Sequence, residues 1–100
     1  MNTILVVDDE PNYLIVLSEL LKEEGFEVMT AQSGEDGLKI VADTDLDLVI
    51  TDMRMPGMDG LELLKAVKLY NKHPVSYTHL RAHETERLIS YAVFCLKRVG

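Results

Sequence analysis

One hundred residues are enough for one small domain with one core. The composition, 47% hydrophobic and 27% charged, is that of a globular chain, and no apolar run approaches the roughly 18 residues that suggest a membrane span. Charge is unevenly shared: residues 1–73 hold 15 acidic and 6 basic side chains, whereas residues 74–100 hold 2 and 4. An acidic first part argues against direct nucleic-acid binding, which needs a basic face to neutralise phosphates, and leaves room for a divalent cation or a basic partner. Cys95 is the only cysteine and has no metal-ligand spacing around it. Met1 to Val7 carries no basic n-region, so no signal peptide is expected, and a cytoplasmic location is.

In chain order, Thr3 to Glu10 (TILVVDDE) is an apolar, β-branched run that ends abruptly in acids, as a strand buried on both faces of a parallel sheet reads. Pro11 suits the first turn of a helix, Leu14, Leu17, Leu20 and Leu21 are expected on its buried face, and Gly25 stops it. Phe26 to Ala31 predicts a second strand. Ser33 with Asp36 resembles a capping box that opens a helix carrying Leu38 and Val41. Asp47 to Asp52 (DLVITD) repeats the design of the first strand, with an acid at its end. After the loop MRMPGMDG, Asp59 and Glu62 form another capping pattern, and Leu63, Val67 and Tyr70 predict the buried stripe of a third helix.

Strands alternating with helices of this length imply βαβ units, hence an α/β fold with a mostly parallel sheet and helices on both faces. Ligands in such sheets bind beyond the carboxyl ends of the strands. Asp8, Asp9 and Asp52 all fall on that edge. Any one of them alone reads more simply as a helix cap or a turn residue. Two apolar strands ending in acid on the same edge point instead to a shared site. Carboxylates brought together repel, and a hard cation such as Mg²⁺ relieves the repulsion while leaving positions for water and phosphate oxygens. A carboxylate beside such a cation can attack phosphorus. Glu23, Glu24, Glu35 and Glu62 read as solvated helix acids, Met53, Met55 and Met58 as gap-filling apolar contacts, and His73 as a helix-end cation.

ILVVDDEP at 4–11 and LVITDMRMPGMDGLELL at 48–64, with their spacing, resemble the receiver domain of two-component response regulators. The resemblance covers residues 1–73 and implies a flavodoxin-like, doubly wound parallel sheet. It implies that Asp52 is the phosphoacceptor, served by a phosphohistidine on a sensor histidine kinase. Asp9 and Asp52 would then ligate Mg²⁺ directly, Asp8 through water, and Arg54 through its backbone carbonyl, with control of transcription by an output domain beyond the chain. Two rivals differ in class. An aspartyl-nucleophile phosphatase wants an acid two residues after the nucleophile, where Arg54 stands. A pseudo-receiver that docks a partner without phosphorylation keeps the fold and loses the chemistry.

The family also uses a Ser or Thr at the end of its fourth strand and a Lys at the end of its fifth. Thr78 arrives too early for the first role, and Lys97 precedes Arg98 with no strand-like run leading into it. Instead, PVSYTHLRAHET at 74–85 and ISYAVFCL at 89–96 resemble the two conserved parts of a translated sequencing-library adapter, separated by residues 86–88 where a variable index sits. The division expected is a partial receiver at 1–74, of three strands and three helices, and a non-native tail at 75–100. Leu88, Ala92 and Leu96 also stand at helical spacing, so a native amphipathic helix is the other reading of that tail. A receiver cut after its third helix lacks the family's dimerisation surface. It is expected to leave one face and one edge of the sheet uncovered, and to fold poorly or aggregate.

Overall fold

The structure is a computed structural model that describes residues 2–70, 75–84 and 87–96. Its elements are β1 (Thr3–Val7), α1 (Pro11–Glu23), β2 (Glu27–Ala31), α2 (Gly34–Asp43), β3 (Leu48–Asp52), α3 (Gly60–Tyr70), β4 (Ser76–Glu84) and β5 (Arg87–Cys95). They form one five-stranded sheet in the order β2-β1-β3-β5-β4. β1 pairs parallel with both β2 and β3, as the alternating pattern predicts.

Period-two alternation divides the apolar residues of β1 between two layers. Leu5 and Val7 join Val49, Leu63, Leu64 and Val67 in the larger cluster, against which Leu38, Ile40 and Val41 of α2 pack. Ile4 and Val6 face the other way and pack with Leu14, Leu17 and Leu21 of α1. Both sides of β1 are therefore covered, and Leu5, Val6 and Val7 are fully buried. Removing each of these side chains from water stabilises the fold by roughly 1.5–3 kcal/mol.

The helix ends follow their capping chemistry. Ser33 Oγ accepts from the Asp36 amide at 3.1 Å, and Asp59 Oδ1 accepts from the Glu62 amide at 2.9 Å. The end of α1 is marked by Gly25 at φ +94°, a left-handed conformation in which a side chain is disfavoured. Two stripe residues depart from expectation. Leu20 is 54% exposed because it lies about a quarter of a turn away from the line through Leu14, Leu17 and Leu21. Tyr70, the final residue of α3, is 58% exposed although it shares the stripe of Leu63 and Val67.

Beyond β3 the architecture differs from the sequence reading. The third helix is followed by strands, so the helical spacing of Leu88, Ala92 and Leu96 is overridden by β5. That strand runs antiparallel to β3, with Leu48 opposite Cys95 and Asp52 opposite Tyr91. β4 pairs antiparallel with β5 and forms the outer edge. The expected open edge at β3 is thus closed: Phe94 and Ala92 enter the larger cluster, and Val49 and Thr51 become fully buried. On the α1 side Val28, Leu48 and Ile50 remain only partly buried, which leaves that layer the thinner of the two.

These layers set different tolerances on α3. Replacing fully buried Leu63 by alanine is predicted to destabilise the protein by about 2–5 kcal/mol. Leu69→Ala, at a position 87% exposed, is predicted to change stability by less than about 0.5 kcal/mol. Urea denaturation of the two variants beside the parent chain checks both values.

Candidate metal centre

The site follows from strand register. Parallel pairing places Val7 of β1 beside Thr51 of β3, so the next residue on each strand, Asp8 and Asp52, emerges at the same level of the sheet. Neighbouring strands lie about 4.8 Å apart. The Asp8 amide continues the ladder on the other side by donating to the Ala31 carbonyl at 3.1 Å. Carboxylate oxygens of Asp8, Asp9 and Asp52 all lie within 4.8 Å of one another. The three acids singled out by sequence therefore meet in one place, at the carboxyl edge of the strands.

The same local device orients two of them. Asp8 Oδ1 accepts from the Glu10 amide at 2.9 Å, and Asp52 Oδ1 accepts from the Arg54 amide at 3.0 Å. Each is an Asx-type turn, in which a side-chain oxygen takes the amide two residues on and bends the chain away from the strand. The N-cap of α1 is Glu10, whose carboxylate accepts from the Asn12 amide, so neither Asp8 nor Asp9 is spent as the cap. Asp8 is fully buried, Asp9 is exposed and Asp52 lies between. Burying a carboxylate is expensive without partners, and Asp8 has two. Its Oδ2 accepts from the Tyr91 hydroxyl at 2.5 Å. In return the phenol is held protonated far above its ordinary range, first by burial, then by the hydrogen bond and charge of Asp8, and further by Asp52 and Tyr13.

The loop after β3 closes the other side. Gly60 starts α3 where an added Cβ would sit 2.9 Å from the Asp52 carbonyl oxygen and 2.8 Å from Met53 Sδ, so only glycine allows the helix to begin this close to the strand end. Gly57 takes φ +76°, and the Met58 amide donates to Glu35 Oε1 at 3.2 Å. Glu35 is exposed, as expected of a helix acid, and also ties this loop to α2. Met55 is buried, while Met53 and Met58 pack against the core, in keeping with apolar gap-filling. Arg54 is exposed.

An all-oxygen set of three carboxylates, one of them buried, matches a hard divalent cation and offers nothing to a soft one. Thr78 is exposed on β4, paired with Val93 and separated from β3 by β5, so it does not reach the acids. His73 and Lys97 lie outside the described residues. Tyr91 is the site residue that sequence reasoning missed. Its contact with Asp8 spans 83 positions and depends on an antiparallel pairing that no local pattern announces.

Comparison with known proteins agrees with the fold. The family model of the response regulator receiver domain matches residues 4–93, and the chain belongs to that family. Among its relatives, the transcriptional regulatory protein CpxR of Escherichia coli is 38% identical over 89 residues, covering 89% of this chain and 38% of that protein. Sporulation initiation phosphotransferase F of Bacillus subtilis is 41% identical over 70 residues, covering 70% of this chain and 56% of that protein. The chain thus spans 38% and 56% of the lengths of these two relatives. Among solved structures, the response regulator TrrA of Thermotoga maritima in complex with Mg²⁺ and BeF is 49% identical, with a TM-score of 0.67 over 69% of this chain and 60% of that one. A complex of TrrA with the histidine kinase ThkA matches with a TM-score of 0.68 and 49% identity, covering 72% of this chain and 62% of that one. The chain is a signalling domain of two-component systems with a flavodoxin-like fold.

Proposed function

We propose that Asp52 accepts a phosphoryl group from a phosphohistidine of a sensor histidine kinase in the cytoplasm, passing the signal to an output domain that controls transcription. The observation that carries this reading is the meeting of Asp8, Asp9 and Asp52 oxygens within 4.8 Å at the strand ends. In the step itself an Asp52 carboxylate oxygen attacks phosphorus. An O–P bond forms as the P–N bond breaks, and the electron pair returns to the imidazole nitrogen. The Arg54 amide on Asp52 Oδ1 fixes the rotation of the attacking carboxylate. Asp9 and Asp52 would hold Mg²⁺ directly, with Asp8 acting through water and Arg54 through its carbonyl; the bound cation neutralises the charge that otherwise keeps a carboxylate from phosphate. The relatives crystallised with Mg²⁺ and BeF and with a histidine kinase support the cofactor and the partner.

A small phosphodonor with Mg²⁺ tests the assignment. An acid-stable, hydroxylamine-labile adduct is expected on the parent chain, and Asp52→Asn is expected to abolish it. Label that persists on Asp52→Asn would place the phosphoacceptor elsewhere. Failure of the parent chain to label at all would favour a docking module that works without phosphorylation.

We further propose that the receiver's own sequence ends near residue 74 and that residues 75–100 derive from adapter sequence. Two observations support this division. The solved relatives described above cover 69% and 72% of the chain, and the β4–β5 hairpin is antiparallel where flavodoxin-like sheets of order 2-1-3-4-5 continue with parallel strands. Resequencing the genomic locus across the codon for His73 is expected to reveal an apolar fourth strand that ends in a hydroxyl residue. A locus that encodes VSYTHLRAHET unchanged would sink the division.

A further inference from the structure

The Asp8 carboxylate already holds one donor of the protein on each oxygen: Oδ1 takes the Glu10 amide at 2.9 Å and Oδ2 takes the Tyr91 hydroxyl at 2.5 Å. A cation, or a water on that cation, that approaches either oxygen must share it with the donor already there or displace that donor. The Glu10 amide belongs to the N-cap of α1 and is fixed by the backbone. The Tyr91 hydroxyl stands on a side chain with rotatable bonds, on a strand directly opposite Asp52.

We propose that Tyr91 competes with the divalent cation for Asp8, acting as a phenolic plug that lowers the metal affinity of this chain. The inference rests on the metal reading given above, and it concerns this polypeptide whatever the origin of β5. Two features make the competition effective. The acceptor is a carboxylate oxygen on a fully buried residue, a setting in which a hydrogen bond is stronger than at an exposed surface. The register Asp52↔Tyr91 holds the ring over the site without a separate closing motion. A hydrogen bond to a charged group is strong enough that losing it is expected to tighten metal binding roughly tenfold or more.

The test uses Mn²⁺ as the probe, with free ion counted by its solution electron paramagnetic resonance signal, on the full chain and on Tyr91→Phe. Tyr77→Phe, on β4 and 39% exposed, serves as the control for removing a phenol elsewhere in the hairpin. The expected result is roughly tenfold tighter Mn²⁺ binding by Tyr91→Phe and no change for Tyr77→Phe, with ¹³C-labelled Tyr91 ring resonances of the parent chain shifting as Mg²⁺ saturates it. Equal affinities for the parent and Tyr91→Phe would overturn the inference and leave the metal site standing. Weaker binding by Tyr91→Phe would overturn it as well, giving Tyr91 a supporting role instead. Absence of binding by the parent and Tyr91→Phe alike would overturn both the metal reading and the plug.

Discussion

The parallel register between β1 and β3 is the constraint on which the rest of this molecule depends. Setting Val7 beside Thr51 makes Asp8 and Asp52 neighbours by geometry alone. A slip of one residue would turn the side chains of a whole strand to the opposite face and separate the acids. That register is held by burial on both sides: Leu5, Val7 and Val49 belong to the larger apolar cluster, and Ile4 and Val6 to the layer under α1. The acids repel, and they tolerate one another because each strand end supplies a backbone amide two residues on, at Glu10 and at Arg54. Apolar packing therefore assembles the site, and local turn chemistry aims it.

Much of this was legible in the chain. The three parallel strands, the three helices and the caps at Ser33 and Asp59 are local features, written in runs of four to eight residues or in i, i+3 pairs, and they appear where they are expected. Asp8, Asp9 and Asp52 were legible because β-strands carry their last residues to a common edge. What escaped was non-local. Leu88, Ala92 and Leu96 fit a helical stripe on paper, yet the segment that contains them pairs with the exposed hydrogen-bonding edge of β3, a demand of the sheet rather than of the segment. Tyr91 reaches Asp8 only through that pairing. Leu20 and Tyr70 show a smaller version of the same limit, since a helix stripe says which side faces inward and not how far the neighbouring layer extends.

On the proposed reading, the hairpin gives the fold and the metal site opposite interests. β5 covers β3, buries Val49 and Thr51, and adds Phe94 and Ala92 to the core, all of which favours a closed sheet. It also brings a phenol to Asp8, the one carboxylate among the described residues that is wholly removed from water. A receiver sheet that continued in parallel would put a different strand end beside Asp52. The chain is thus a receiver by its first three strands and by its acids, with an edge that follows other rules.

On the proposed reading the strand ends, and not the acidic surface at large, bind the divalent cation. The most direct measurement is paramagnetic broadening of amide resonances on adding substoichiometric Mn²⁺ to the isotope-labelled chain. Amides of residues 8–10 and 52–54 are expected to broaden first, while those near Glu23 and Glu24 at the far end of α1 remain sharp. Broadening that begins on the helix faces, or that spreads evenly over the acidic residues, would contradict it.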